Sequence, residues 1–199
     1  DLMADVLKSF IKELSKNDPF QIVAKEIPLV KKLIETGYTG RKGKGGFYRM
    51  NKENNKKILE AINLNTGEYF PSKKIDLGIE TVNLNTLINR KDKYGEYAWV
   101  VISKIIKYAS SLVPGITDKF NDIDEAMRLG FNWAMGPFEM LRSIGVKFFF
   151  NRIDEFKNNK FLENLSKTKD ENFYGERQLY TDIITLGKIK PKAIKVDKN

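Results

Sequence analysis

Leu2, Met3, Val6, Phe10 and Leu14 fall three and four residues apart with Lys8, Lys12 and Glu13 between them, a spacing that predicts an amphipathic helix over residues 2–15. Asn17-Asp18-Pro19 ends it. A second helix opens at Pro28, whose fixed backbone angle suits a first turn, carries Leu29, Leu33 and Ile34 on one face, and stops at Gly37. Residues 40–46 hold Gly40, Gly43, Gly45 and Gly46, and at roughly 1 kcal/mol of ordering cost per glycine that stretch is a loop.

Residues 51–90 are rich in Asn and Lys, and Ile58–Leu64 and Tyr69-Phe70 flank Asn65-Thr66-Gly67, which predicts a small hairpin inside a connector. From Tyr94 the three-and-four period returns. Trp99, Ile102, Ile106, Ala109 and Val113 form one apolar row and Val101, Ile105, Tyr108 and Leu112 its neighbour, a stripe wide enough for a buried helix. Pro114-Gly115 breaks it. Ile123, Ala126, Met127 and Gly130 mark the next helix with Asp122 as its cap, and Gly136-Pro137 opens another with Glu139 in its first turn and Gly145 as its stop. Phe149, Ile153 and Phe156 define a further helix, and Lys188–Asn199 has no clear period and is expected to run over the surface.

The chain echoes itself. The helix at Asp1–Leu14 matches in pattern that at Lys147–Phe156, and each is followed by a further helical stretch and a Phe-Tyr pair, Phe47-Tyr48 and Phe173-Tyr174. The second copy has Thr168-Lys169-Asp170-Glu171-Asn172 where the first has its glycine loop. One and a half repeats is the expectation, with the first copy lacking its beginning.

Composition narrows the chemistry. Zero Cys and zero His among 199 residues exclude disulfides, thiol nucleophiles, Cys- or His-built metal sites and imidazole acid–base catalysis within this chain. Lys and Arg number 35 against 26 Asp and Glu, and the net charge of +9 favours polyanionic partners, among which nucleotides and coenzyme A qualify as well as nucleic acid. The cations are scattered, so they read as a solvated surface rather than a stripe. No apolar run approaches the roughly 20 residues of a bilayer span, and no targeting leader can be read.

Two segments carry candidate chemistry. Gly40-Arg41-Lys42-Gly43-Lys44-Gly45-Gly46-Phe47-Tyr48 offers glycine-freed amides and three cations for a phosphate, but it follows a helix and matches neither common phosphate fingerprint. Spacing alone favours a turn that docks Phe47 into a core. Asp122, Asp124, Glu125 and Glu139 crowd residues 122–139 without calcium-loop spacing, so no metal is assigned, and the first three suit the start of a helix.

Residues 123–139, with Ile-Asp-x-Ala-Met-x-x-Gly leading to Gly-Pro-Phe-Glu, and residues 40–48 resemble the C-terminal domain of the 3-hydroxyacyl-CoA dehydrogenases of fatty-acid β-oxidation. The resemblance covers most of residues 1–175 and implies a mainly α chain: two related helical units, similar to the C-terminal part of 6-phosphogluconate dehydrogenase, joined by a connector with a small β-hairpin. The implied divisions are a partial first unit at 1–50, the connector at 51–92, a second unit at 93–176 and a basic tail at 177–199. The resemblance further implies that NAD and the catalytic residues belong to a Rossmann domain elsewhere in a parent protein, so no catalytic residue is expected here and the chain alone should be inactive. Lys42 matches the glycine-loop lysine that reaches NAD. The implied partners are an acyl-CoA substrate, that Rossmann domain, and a second subunit or the other helical unit; the implied setting is the cytoplasm, with no nucleic acid and no membrane span. Arg142 departs from the family's Asp at that position. The competing reading is a basic helical module that binds nucleic acid or scaffolds another protein.

Overall fold

The computed structural model describes residues 2–53, 56–76, 78, 83–168 and 173–174. The chain divides into two compact units, Asp1–Leu77 and Gly78–Asn199. That boundary falls inside the segment read as a connector, while the basic tail at 177–199 and residues 169–172 of the second echo lie outside the described residues.

The first unit opens with α1 (Leu2–Glu13), none of whose residues is buried. Its end is held by the Gln21 amide, which donates to the carbonyls of Ile11 and Leu14, and by Phe10 meeting Phe20 edge to face at 5.6 Å. Asp18 turns the chain by accepting the Phe20 N–H at 2.8 Å, starting the single turn α2 (Phe20–Val23). The predicted second helix is α3 (Pro28–Glu35), with Pro28 in its first turn and Gly37 beyond its end at φ +84°. The predicted hairpin joins β2 (Lys56–Ile62) to β3 (Tyr69–Pro71), and its turn is built by Asn63, whose side chain accepts the N–H groups of Asn65 and Thr66. A strand that the pattern did not predict, β1 (Tyr48–Glu53), pairs antiparallel with β2, so the sheet has the order β1-β2-β3. Tyr48-Arg49-Met50-Asn51-Lys52-Glu53 lacks the apolar alternation of a half-buried strand, because little covers it.

The second unit is a helical stack. Asn83 caps α4 (Leu84–Ile88) and Asp92 caps α5 (Lys93–Ser111), its carboxylate accepting the N–H groups of Tyr94 and Gly95. Arg90, 2.6 Å away, is the chief reason that the Asp92 carboxyl is drawn down to about 2. The face that α5 buries includes Trp99, Ser103, Ile106, Ala109 and Ser110, while Ile102 and Ile105 are only half-buried. Ser103 and Ser110 fit a core position because their hydroxyls return to the helix's own carbonyls at Val100 and Ile106. Then come α6 (Phe120–Phe131), α7 (Pro137–Ile144), α8 (Val146–Arg152) and α9 (Lys160–Thr168). Gly145, at φ +94°, ends α7, as its place in the sequence predicts, and also stands at the start of α8. The helix predicted from Phe149, Ile153 and Phe156 is shorter than expected: α8 stops at Arg152, and Phe156 instead meets Phe150 at a tilt, 5.0 Å between ring centres, from the following loop.

Fully buried Ile88, Ile106, Leu141, Val146, Phe149 and Leu162 form the main core, and Ala109, Phe138 and Tyr174 form a second one beside Phe120, Phe161 and Phe173. The fold is mainly α, as expected, with the small sheet confined to the first unit.

Candidate functional site

The glycine loop of the first unit is a closed turn. Gly40 donates its N–H to Gly45 at 2.7 Å, and Gly43 donates back to Gly40 at 3.0 Å. Lys44 stays exposed but folds back along the surface, its Nζ donating to the Thr36 carbonyl at 3.1 Å at the end of α3, where a cation complements the helix dipole. Arg41 and Lys42 are left exposed at the tip. Two exposed cations on a closed turn can meet an anionic group such as a phosphate. The expectation that the loop docks Phe47 into a core is not met. Phe47 is 46% exposed, and the ring contact at the root of the loop is Tyr38 stacked on Tyr69 at 5.5 Å.

Arg49 and Glu60, missed in the sequence, face each other across β1 and β2 and pair at 2.6 Å. Arg49 also reaches the Tyr38 hydroxyl and lies 4.0 Å from the centre of the Tyr69 ring. Glu60 bonds Asn51 with its other oxygen, and the Arg49 bond is the main reason its carboxyl sits below the ordinary value. Only the strand register brings these residues together, and without β1 the pair is invisible.

In the second unit the acidic cluster resolves into a helix corner. Asp124 is 1% exposed in the middle of α6 rather than at its start, and it serves the next helix. Its two oxygens accept the N–H groups of Phe138 at 2.8 Å and Glu139 at 3.0 Å, the second and third residues of α7. An N-cap side chain normally takes those donors. Gly136 has none to offer, and a Cβ there would overlap both the backbone and the side chain of Asp124. The Tyr174 hydroxyl donates to the same carboxylate at 2.8 Å.

Glu139 accepts the Gly136 N–H at 2.8 Å with one oxygen and the Arg128 guanidinium at 2.9 Å with the other. Burial, helped by the Glu139 charge, pushes the Asp124 carboxyl up to about 6, against the three donors that favour its charged form. Asp122 is not the cap of α6: Lys119 stands at that position, and Asp122 accepts the Thr117 hydroxyl from the first turn. Glu125 lies half-buried in the first half of α6. Arg142 lies 5.9 Å from the Tyr174 ring, and its Nη1 is buried without a hydrogen-bond partner. Nearby, Leu84, Leu87, Ile102, Trp133, Met135 and Met140 line an open depression of about 340 Å³ without a charged side chain.

No group of three or more His, Cys, Asp or Glu among the described residues is arranged to hold a metal. No helix among them is long and apolar enough to cross a membrane. The polar groups of the corner are engaged with one another, holding two helices and a C-terminal turn together.

Such a corner, two helices locked by a buried carboxylate, is the packing element of a helical domain. Residues 100–195, just under half of the chain, match the family model described as 3-hydroxyacyl-CoA dehydrogenase, C-terminal domain, and through them the chain is similar to that family. A putative fatty acid oxidation complex trifunctional enzyme of Rickettsia felis is 40% identical over 141 residues, 71% of this chain and 19% of that protein. Its namesake in Rickettsia prowazekii is 39% identical over 153 residues, 77% of this chain and 21% of that protein. A probable 3-hydroxyacyl-CoA dehydrogenase of Bacillus subtilis is 33% identical over 123 residues, 58% of this chain and 15% of that protein. The chain thus spans about a fifth of the length of the first two relatives. No solved structure matches it.

Proposed function

We propose that this chain is the substrate-cleft and subunit-pairing portion of an NAD-dependent (S)-3-hydroxyacyl-CoA dehydrogenase of fatty-acid oxidation, working in the cytoplasm with a nucleotide-binding domain of the parent protein. Residues 93–176 act as a second helical unit and residues 1–50 as part of a first, joined through residues 51–92. The observation that carries this reading is the Asp124-capped Gly-Pro-Phe-Glu corner, lying within the stretch that matches the family. NAD, when bound, accepts the hydride from the substrate hydroxyl carbon. What this chain contributes is support: the corner fixes α6 against α7, and Lys42, free of any ion pair among the described residues, meets the cofactor's anionic part. The chain alone has no turnover in this reading.

The test is to mix the chain with the nucleotide-binding part of its parent and follow NADH absorbance with a 3-hydroxyacyl-CoA. Turnover is expected only from the mixture; silence despite demonstrated association of the two parts overturns the proposal. Duplex DNA at two salt concentrations is the control, where tight binding with a steep salt slope would favour a nucleic-acid module instead.

A further inference from the structure

Lys42 stands on a solvent-facing turn, where a loose loop would cost affinity each time a ligand had to order it. The turn is tied from two sides. Toward α3, Lys44 bonds the Gly37 carbonyl with its N–H at 3.1 Å and the Thr36 carbonyl with its Nζ. Toward the sheet, the Tyr69 hydroxyl donates to the Gly46 carbonyl at 2.5 Å. Tyr69 is itself held, stacked on Tyr38 with the Arg49 guanidinium over its ring, and Arg49 is fixed by Glu60 and by the Tyr38 hydroxyl.

The glycines make this close approach possible. A Cβ on Gly45, at φ +126°, would lie 2.7 Å from the Arg49 Cβ, and one on Gly43 would lie 2.7 Å from the Gly37 carbonyl. A continuous run of contacts therefore leads from the buried Glu60 through Arg49 and Tyr69 to the root of the loop.

We propose that Tyr69 is a positioning residue for Lys42: its hydroxyl, by holding the Gly46 carbonyl, keeps the glycine turn in the form that presents Lys42 to the anionic cofactor. This rests on Lys42 being a cofactor contact. Tyr69→Phe preserves the ring and its stacking and removes only the hydroxyl.

The experiment measures NAD KM and kcat in the intact parent dehydrogenase for Lys42→Ala, Tyr69→Phe and the double variant. Losing one such hydrogen bond should raise the NAD KM about threefold to tenfold in Tyr69→Phe, with kcat unchanged. Lys42→Ala should raise it as well, and Tyr69→Phe should add nothing in the Lys42→Ala background, a non-additivity that general loosening of the fold would not produce. If Lys42→Ala raises the KM and Tyr69→Phe does not, or if the two effects simply add, the positioning role is overturned while the assignment of Lys42 stands. If Lys42→Ala leaves the KM unchanged, the assignment falls and the positioning role with it. In this chain alone, faster amide exchange at Gly43 and Lys44 in Tyr69→Phe supports the strut, and unchanged exchange overturns it.

Discussion

Tyr174 is 5% exposed and its hydroxyl rests 2.8 Å from Asp124, whereas Tyr48 is 60% exposed and its hydroxyl has no partner among the described residues. Both follow a phenylalanine, and both stand after a helix pair of similar pattern. The helices that precede them differ in the same way: α8 buries Val146 and Phe149 completely, while α1, its counterpart in the first unit, buries nothing. The difference lies in what is opposite. In the second unit α6 and α7 form a corner with a carboxylate aimed at the tyrosine, and the described residues of the first unit contain no such pair of helices. A sequence echo therefore does not carry its packing with it; the same dipeptide is a lock where an acceptor faces it and a surface residue where none does.

Removing that acceptor should produce the largest effect. Asp124→Ala leaves two helix N–H groups and the Tyr174 hydroxyl without a partner inside the corner, and such losses together cost about 3–5 kcal/mol. Trp99 and Trp133, the two tryptophans of the chain, both lie in the second unit, so urea denaturation followed by their fluorescence reports that unit alone. A midpoint unchanged from the parent chain would mean that the corner is not what closes the unit.

A smaller effect depends on pH. The Asp124 carboxyl titrates near 6 in the folded chain against an ordinary 3.8, so between those values the folded state holds a proton that the unfolded state has released. The sign follows: stability from this group is full below about pH 4 and is lost as pH rises through 6, by about 1–3 kcal/mol. Asp92, drawn down to about 2, acts in the opposite sense, giving stability above 3.8 that is lost as pH falls toward 2, outside that window. Comparing the chain with Asp124→Asn from pH 4 to 6.5 cancels the other groups. Parallel stability curves would show that the carboxyl is not held in its raised state.

The two units also differed in how far their sequences could be read. Helices α1, α3, α5 and α7 and the β2–β3 turn were legible because local signals fix them: a three-and-four period, Pro28 and Pro137 in first turns, Gly37 and Gly145 at ends, Asn-Thr-Gly at the turn. Asp124 lies in α6, as its place in the sequence predicts, but the helix start it serves is that of α7, because its donors lie 14 and 15 residues on, beyond the reach of a local pattern. Two clues pointed to the true role. Asp124 sits four residues after Phe120, on a face that is otherwise core, and Gly136 begins a helix with no side chain to satisfy its first amides. That Arg49, Glu60 and Tyr69 meet had no local signal, since opposing strand positions come together only once a register exists.

The finest test applies one change to both echoes. Tyr174→Phe removes a buried hydroxyl that donates to a carboxylate, and a hydrogen bond to a charged group contributes about 1.5–3 kcal/mol, less whatever water regains by reaching Asp124. The net expectation is a loss of about 1–2 kcal/mol, read in the second unit by tryptophan fluorescence. Tyr48→Phe removes a hydroxyl already in water, and its effect should stay within about 0.5 kcal/mol by circular dichroism. Phe173 and Phe47 control for the rings: Phe173 packs against Phe120 at 5.6 Å, and Phe47 stands half in solvent. Equal losses at Tyr48 and Tyr174 would mean that Tyr48 has an acceptor of its own, and the asymmetry between the units would then be one of exposure rather than of partners.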